Sequence, residues 1–311
     1  MKKLRRYGWS CRLPLLAAAV LLPTAASADF LVVSQNGLHL GQDSRGVPGY
    51  VANKNAFIRD LGHWQGSALP QMTFLQEVMS QADKDALKPA GGSVNFSELK
   101  GNSSYLERYA DILVNDSGAT LAIVCHVDTA KLVSAGATVQ RPPEATLISD
   151  SSSGSEKLVW FLDYHATFGT GGPKARRGEI AEIGNIVKAL TAAVPAGCPR
   201  TSANAVIVGD WNMNATDPAF ATLAANAGFG KPSFAPNVKT SLNAQGRTTS
   251  PYDHFIWDDN LVQVTLAALP AQSVCSTRVA VVAGVLTPTS YPAFRRNCSD
   301  HVGIAAVVKV R

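Results

Sequence analysis

Short apolar runs separated by polar segments recur along the whole chain. Such runs, rich in Val, Ile, Leu and Phe, are typical of β-strands. They predict strands at Phe30–Ser34, Thr73–Leu75, Ala110–Val114, Thr120–Val124, Leu158–Leu162, Ala205–Val208, Phe255–Trp257, Val279–Val285 and Gly303–Val310. The polar segment Ser149–Glu156 lies between two such runs and is typical of a hairpin turn or a surface loop.

Helical periodicity is clearest at Arg177–Ala192, where apolar residues recur every three to four positions, at Ile180, Ile183, Val187 and Leu190. Weaker helical patterns cover Asn53–Leu61 and Pro218–Ala227. Strands therefore outnumber helices, and the helices are scattered between them. This order predicts an α/β fold, a four-layer sandwich of two packed, mostly antiparallel sheets with helices on the outer faces. We expect residues 29–311 to form a single domain, because no convincing linker divides them.

The N-terminal 28 residues have the features of a secretory signal peptide. Five basic residues precede or enter an apolar run from Leu13 to Leu22, and Ala26-Ser27-Ala28 has the small-x-small pattern of a cleavage site. The apolar run is shorter than the roughly 20 residues that a membrane helix needs. We expect cleavage near Ala28 and export of a monomer without a transmembrane segment to the periplasm or the medium. The alternative is an uncleaved amphipathic N-terminus.

Composition and charge narrow the class of protein. With 46% hydrophobic and 16% charged residues, the chain is neither disordered nor a coiled coil nor a fibre. The net charge of +5 comes entirely from residues 1–28, because the rest has 23 basic and 23 acidic residues. Whole-molecule charge therefore gives no reason to expect a polyanionic partner, and any such contact must be local.

Four cysteines remain after residue 28, and an even number in an exported protein favours disulfides. Three pairings of Cys125, Cys198, Cys275 and Cys298 are open from the sequence. A Cys275–Cys298 bond is favoured because both flank one C-terminal segment. The absence of a CxxC pair argues against a zinc site.

Polar residues follow or begin several predicted strands, where one edge of a sheet would present them. They are Asn36 in LVVSQN, Glu77 in MTFLQEV, His165 in VWFLDYH, Asp210 and Asn212 in VIVGDWN, Asp253 in SPYDHFIW, and Asp300 and His301 in CSDHVGIAAVV. Each alone is more typical of a cap or a turn. Two histidines, several carboxylates and two asparagines at strand ends together predict a catalytic site.

In this order the motifs QN, LQEV, DYH, GDWN, PYDHF and SDH resemble those of the endonuclease/exonuclease/phosphatase superfamily, and within it most closely the deoxyribonuclease I family. The resemblance spans roughly residues 30–310. The segment Asn102–Tyr109 is similar to the NSYKERY-like segment that deoxyribonucleases place before a core strand.

The resemblance implies a role for each motif residue. His301 would be the general base, oriented by Asp253, and His165 would be the general acid, paired with Glu107. Glu77, Asn36 and Asp300 would form a site for Mg²⁺ or Mn²⁺, with Ca²⁺ as a further candidate, and Asp210 would complete the metal site or orient the attacking water. Asn212 would donate to a phosphoryl oxygen, and Tyr105 would lie beside the phosphate. Arg108, Arg176 and Arg177 are the candidate substrate-binding residues.

The implied activity is an endonuclease that hydrolyses DNA to 5′-phosphate ends. Met79 departs from the family pattern, which has an arginine two residues after the metal-binding glutamate that reaches the DNA minor groove. The alternatives on the same site are a sphingomyelinase-like enzyme acting on a phospholipid headgroup, a phosphoinositide phosphatase, and a nuclease like that of the cytolethal distending toxin. A catalytically inactive binding module is a third hypothesis.

Three further histidines carry weaker signals. His254 follows Asp253 and points to the opposite face of a predicted strand, so we expect it to be structural. We expect no pairing of His126 with the thiol of Cys125, because adjacent strand residues point apart and an exported cysteine favours oxidation. His39 lies close enough to Asn36 to be a minor site candidate.

Overall fold

The computed structural model describes residues 29–40, 49–65, 67, 69–79, 92–98, 108–114, 121–151, 154–169, 172–275 and 277–311. Only the backbone is described for residues 92–98 and for Arg108. The predicted signal peptide, Tyr105 and Glu107 lie outside the described residues.

The strands of the described residues form two sheets, numbered here in chain order. The first sheet has the order β12 (Leu269–Val274), β13 (Thr277–Val282), β14 (Val285–Pro288), β15 (Ile304–Val310), β1 (Asp29–Leu40), β2 (Gln71–Val78), β4 (Arg108–Val114) and β3 (Gly92–Glu98), and β11 (Val262–Leu266) also pairs with β15. The second has the order β5 (Leu121–Asp128), β6 (Glu144–Asp150), β7 (Lys157–His165), β8 (Ala205–Asp210), β10 (Asp253–Asp258) and β9 (Pro232–Ala235).

The helices cover the outer faces of these sheets. Among the described residues they are α1 (Tyr50–Gly62), α2 (Gly172–Ala192), α3 (Ala219–Ala227) and α4 (Tyr291–Asn297), with one 3₁₀ turn at Thr129–Leu132. Helix α1 packs on β1 and β2, whereas α2 and α3 pack on each other and bury their apolar faces against the second sheet. Phe161 of β7 joins the two sheets, with its ring centroid 5.8 Å from that of Phe30 and 5.1 Å from that of Phe74. The predicted four-layer α/β sandwich is confirmed.

Strand direction brings several strand ends to one edge of the sandwich. Strands β1 and β2 are parallel, as are β7 and β8, and the other strand pairs of the described residues are antiparallel. The carboxyl ends of these four strands therefore lie at the same edge. Because β10 and β15 run antiparallel to β8 and β1, their first residues lie there too: Asp253 pairs with Asp210, and Ile304 pairs with Ser34.

Most predicted elements are longer in the structure, and the bounds of two of them have a clear physical reason. Helix α2 begins at Gly172, five residues before the predicted start, because its first turns are exposed and polar and carry no apolar repeat. The single strand predicted at Val279–Val285 is wrong: the run is the hairpin of β13 and β14. The chain reverses at Ala283 and Gly284, with φ of 48° and 78°, the left-handed conformations that a tight hairpin turn requires.

Both cysteine pairs of the described chain form disulfides. Cys275–Cys298 confirms the favoured pairing, and Cys125–Cys198, which the sequence left open, links β5 to the segment after α2 across 73 residues. Two such bonds fit an oxidising compartment. No helix of the described residues is long and apolar enough to cross a membrane.

A polar cluster lies between the two sheets. It consists of the buried Asp111 of β4 and Thr146 of β6, the half-buried Glu144 of β6 and the more exposed His126 of β5. Thr146 Oγ1 donates to Asp111 Oδ2, and His126 Nδ1 lies 3.2 Å from Glu144 Oε1. Burial, together with the charge of Glu144, raises the pKa of Asp111 to about 7. Burial opposes the charge on His126, but its hydrogen bond to Glu144 and the charge of Asp111 raise the pKa of its imidazole.

This cluster predicts a fall in stability with rising pH. A carboxyl whose pKa is raised in the folded state loses stabilisation as pH rises towards that pKa, and a raised histidine loses it between the unfolded and folded pKa values. The free energy of unfolding should therefore decrease from pH 6 to pH 8. Asp111→Asn should flatten this slope and raise the free energy of unfolding at pH 8 by about 1–2 kcal/mol. This gain is smaller than the whole pKa shift of Asp111 would give, because His126 loses a charged partner.

Urea denaturation at pH 6 and pH 8 measures the slope. Asp259→Asn is the matched control, because the hydrogen bond from Lys231 lowers the pKa of this exposed carboxyl, so its ionisation is complete well below pH 6. An Asp111→Asn protein with the same pH slope as the parent would contradict the assignment.

Candidate active site

The backbone is irregular where β1 and β2 reach the common edge of the sandwich. Pairing between these strands shifts register between Asn36 and Leu40, and pairing of β2 with β4 shifts between Leu75 and Val78. His39 and Glu77 have positive φ values of 56° and 57°. Such strained conformations of non-glycine residues cluster at functional sites, because surrounding contacts must hold them.

Asn36, Glu77 and Asp210 form the centre of the edge. The Nδ2 amide of Asn36 donates to Glu77 Oε1 and to Asp210 Oδ2, at 3.1 Å each. The backbone amide of His39 donates to Glu77 Oε2 at 3.1 Å, and that of Asn212 donates to Asp210 Oδ1 at 2.9 Å. One asparagine thus bridges carboxylates from the two sheets, and backbone amides fix the orientation of each carboxylate.

His301 lies between two carboxylates. Its Nδ1 is 2.8 Å from Asp253 Oδ2, and its Nε2 is 3.3 Å from Asp210 Oδ2. The side chain of Ser299 accepts from the His301 amide and donates to the carbonyl oxygen of Asn36, which ties this loop to β1. Burial alone would lower the pKa of His301, but the charges of Asp210 and Asp253 outweigh it and raise this pKa well above its ordinary value.

His165 approaches the same carboxylates from the other side. Its Nε2 is 3.7 Å from Asp210 Oδ2 and 3.8 Å from Glu77 Oε1. Its backbone amide donates to the hydroxyl of Tyr109 at 3.0 Å, which fixes the end of β7 against β4. The pairing of His165 with Glu107 stays a prediction, because Glu107 lies outside the described residues.

Arg141 lies at the site although no sequence motif predicted it. Its Nη1 lies 2.9 Å from Nδ1 and 3.1 Å from Nε2 of His165. Arg141 directly precedes Pro142-Pro143 and β6, which is antiparallel to β7 with Glu144 opposite Asp163, so this segment reaches the end of β7. A basic residue next to two prolines at the start of a strand was the available sequence signal.

Solved structures share this architecture over nearly the whole chain. The catalytic domain of human Nocturnin has a TM-score of 0.59 at 14% identity, with 93% of this chain and 97% of that domain covered. An endonuclease/exonuclease/phosphatase family protein from Bacteroides thetaiotaomicron has a TM-score of 0.53 at 14% identity, with 90% and 97% covered. This chain has the endonuclease/exonuclease/phosphatase fold.

ANGEL2, a 2′,3′-cyclic phosphatase, also has this fold, with a TM-score of 0.55 at 12% identity and 91% of this chain and 96% of that chain covered. The sequence by itself matches no protein-family model and no curated protein. The fold resemblance inferred from the six short motifs is confirmed, and at these identities it concerns the fold alone.

The residues at this edge of the endonuclease/exonuclease/phosphatase fold fit a divalent cation. Asp210, Asp253 and His301 each offer a ligand atom within 4.8 Å of the others, and all three are buried. Because Asp253 and His301 bond to each other, Asp210 and the neighbouring Glu77 are the carboxylates left for a cation. The second carboxylate oxygen of Asp253 is buried and has no hydrogen-bond partner among the described residues. With Glu77 and Asn36 beside them, the donors are mainly oxygen atoms, which suit a hard cation such as Mg²⁺ or Mn²⁺.

Several predicted site residues have other partners in the structure. Arg176 Nη1 donates to the carbonyl oxygen of Thr167, and Arg177 forms a bidentate pair with Asp217 on the surface. The side-chain amide of Asn212 donates to the carbonyl oxygen of Ala166 at 2.9 Å. Asp300 is outside the Asp210–Asp253–His301 group, although its charge also raises the pKa of His301.

Two expectations about single histidines are confirmed. His254 is buried, with its ring nitrogens 2.8 Å from the carbonyl oxygen of Pro236 and 3.1 Å from that of Met213, as expected of a structural residue. His126 has no thiol beside it, because Cys125 is in a disulfide. His39 does lie at the site, where its backbone amide contacts Glu77.

Proposed function

We propose that the protein is an exported, divalent-metal-dependent phosphodiesterase, and specifically an endonuclease that cleaves DNA to 5′-phosphate ends. One observation carries this proposal: Nε2 of His165 and Nε2 of His301 both face Asp210 Oδ2, at 3.7 and 3.3 Å. Two imidazoles converging on one carboxylate provide an acid and a base for the two ends of an in-line displacement at phosphorus.

His301 is the general base of this mechanism in its neutral form, which a cation at Asp210 would favour by offsetting the carboxylate charge that raises the pKa of His301. Its hydrogen bond to Asp253 holds Nδ1 away from the substrate and directs Nε2 into the site. A water molecule gives its proton to Nε2 as its oxygen forms the new bond to phosphorus. Asp253 stabilises the imidazolium that results. A cation bound at Glu77 and Asp210 would place positive charge next to the phosphoryl oxygens.

His165 is the general acid. It gives a proton to the 3′-oxygen as the bond between phosphorus and that oxygen breaks, which leaves the phosphate on the 5′ end. Arg141 beside it offers the planar donor set that binds two oxygens of one phosphate. Asn212, Asp300, Glu107, Tyr105 and Arg108 keep the roles predicted for them from the resemblance.

A second candidate substrate is a phosphate ester of a lipid headgroup, on the same residues. The buried side chain of Met79, 8% exposed, offers no cation two residues after Glu77, and Asp217 neutralises Arg177. Outside residues 1–28 the chain has no net charge. These features reduce the attraction for the long polyanion of duplex DNA, which is why lipid substrates belong in the first assay.

A nicking assay on supercoiled plasmid tests the proposal. We expect nicking with Mg²⁺, its loss in chelator and its return when Mg²⁺ is restored. DNA ligase should seal the nicks, since it requires a 5′-phosphate. Glu77→Gln should lower the rate by about 10²-fold, because a bound cation contributes several kcal/mol to such reactions. Asp259→Asn, on the surface, should nick like the parent protein.

Hydrolysis of sphingomyelin or a phosphoinositide by folded, Mg²⁺-supplied protein that leaves plasmid intact would replace the endonuclease with the lipid phosphoesterase. No hydrolysis of any of these esters would favour the binding module.

A further inference from the structure

Phe168 is an exposed aromatic residue on the segment that directly follows the site residue His165. It follows His165 by three residues, and 69% of its surface is exposed. Among the large hydrophobic residues that the structure describes as exposed, the others are Val194, Val238 and Val282, so Phe168 is the only aromatic one in this set. Exposing a phenyl ring to water is unfavourable, and here it occurs beside the proposed general acid.

The chain leading to Phe168 is held rigidly. The amide of Ala166 donates to the carbonyl oxygen of Asp210 at 2.8 Å, and the carbonyl oxygen of Ala166 accepts from Asn212 at 2.9 Å. Arg176 donates to the carbonyl oxygen of Thr167 at 3.0 Å. These bonds hold the backbone of the two residues between His165 and Phe168, and they therefore fix the position of the Phe168 backbone relative to the site. Three residues span at most about 10 Å, so the backbone of Phe168 stays within about 10 Å of that of His165.

The surroundings of Phe168 suit a nucleic-acid strand better than a membrane. Lys174 is exposed in the first turn of α2, close to the arginine that binds Thr167, and has no salt-bridge partner among the described residues. It offers a cation to a backbone phosphate. The sequence from Ala166 to Arg177 has no large apolar residue besides Phe168. Membrane-binding surfaces need a wider apolar face than one ring.

We propose that Phe168 stacks on an unpaired nucleobase next to the scissile phosphate, so that the enzyme prefers single-stranded nucleic acid, including the unpaired segments of a supercoiled plasmid. This inference rests on the proposed phosphodiesterase function and narrows its substrate class. A free aromatic face binds the face of a base, and every base has such a face. In a duplex the neighbouring base pairs cover those faces, so the ring would select unpaired segments.

Binding of a fluorescent oligothymidylate, measured by anisotropy in chelator, tests the inference without turnover. Phe168→Ala should raise Kd by about 5- to 150-fold, the range that loss of base–aromatic stacking gives. Phe168→Trp should restore binding, because tryptophan also stacks. Val194→Ala is the matched control, because Val194 is 54% exposed and lies just after α2. This variant should bind the oligonucleotide as the parent does. On a strand of abasic nucleotides, Phe168→Ala and the parent should bind equally.

Equal affinity of Phe168→Ala and the parent for oligothymidylate would overturn the inference, as would an equal loss on the abasic strand. Weaker binding of the variant to anionic phospholipid vesicles, with oligonucleotide binding unchanged, would assign the ring to a membrane instead. If the parent cleaves DNA and Phe168→Ala cleaves single strands equally well, only this inference fails. If the parent neither binds nor cleaves any nucleic acid, the proposed endonuclease fails with it.

Discussion

His301→Ala should lower the rate of phosphodiester hydrolysis by about 10³-fold or more, since a positioned general base contributes roughly 10²–10⁴ and His301 is the one imidazole held against both Asp210 and Asp253. Removing the ring also leaves these two buried carboxylates without their shared partner. The rate should therefore be measured below the unfolding midpoint of the variant, with substrate and Mg²⁺ at saturation.

Asp253→Asn keeps the imidazole of His301 and removes only the carboxylate charge beside it. The asparagine oxygen still accepts from Nδ1, but the charge that stabilises the imidazolium is gone. The expected loss is about 10- to 10²-fold, smaller than that of His301→Ala. His126→Gln, at the cluster between the sheets, is the matched control and should keep the parent's kcat. An active His301→Ala protein would mean that another group takes the proton.

Gly209→Ala should lower the free energy of unfolding by more than about 3 kcal/mol, because the strand pair β7–β8 has no room for a side chain at this position. A Cβ atom at Gly209 would lie 1.9 Å from the carbonyl oxygen of Tyr164, and the φ of 140° is a conformation that is essentially restricted to glycine. The strands must separate, and Asp210, the next residue, moves away from His165 with them.

Denaturant midpoints and nicking rates test this prediction together. Gly178→Ala is the matched control: Gly178 lies in α2 with open space around its Cβ position. This change should stabilise the helix by about 0.5–1 kcal/mol. Parent-like stability of Gly209→Ala would show that the two strands can separate without cost, which would contradict the close approach in the structure.

The motif GDWN shows what local sequence can predict and what it cannot. Its order predicted a strand followed by Asp210 and Asn212 at the sheet edge, and the structure puts them there. The close approach of Gly209 to Tyr164 and the bond from Asn212 to Ala166 both cross to β7, more than 40 residues earlier. Contacts of this kind depend on which distant strands pair, and the apolar pattern within one strand does not identify its partner strand.

The partners of charged residues likewise could not be predicted from the sequence. Arg176 and Arg177 follow His165 closely enough to be taken as substrate-binding residues, yet Arg177 pairs with Asp217 at the start of α3. Arg141 had no motif, yet it contacts His165. A long basic side chain reaches several partners in any fold, so its position in the chain does not decide which one it meets.

The sequence by itself determined the α/β sandwich, through its apolar runs and motif order, and which polar residues lie at or near the ends or starts of strands: Asn36, Glu77, His165, Asp210, Asp253 and His301. Strand ends are local features, set by where an apolar run stops. Only the tertiary structure decided that two histidines converge on Asp210, that Arg141 joins His165 and that Cys125 bonds to Cys198. These contacts join segments far apart in the chain, and the packing of the two sheets brings those segments together.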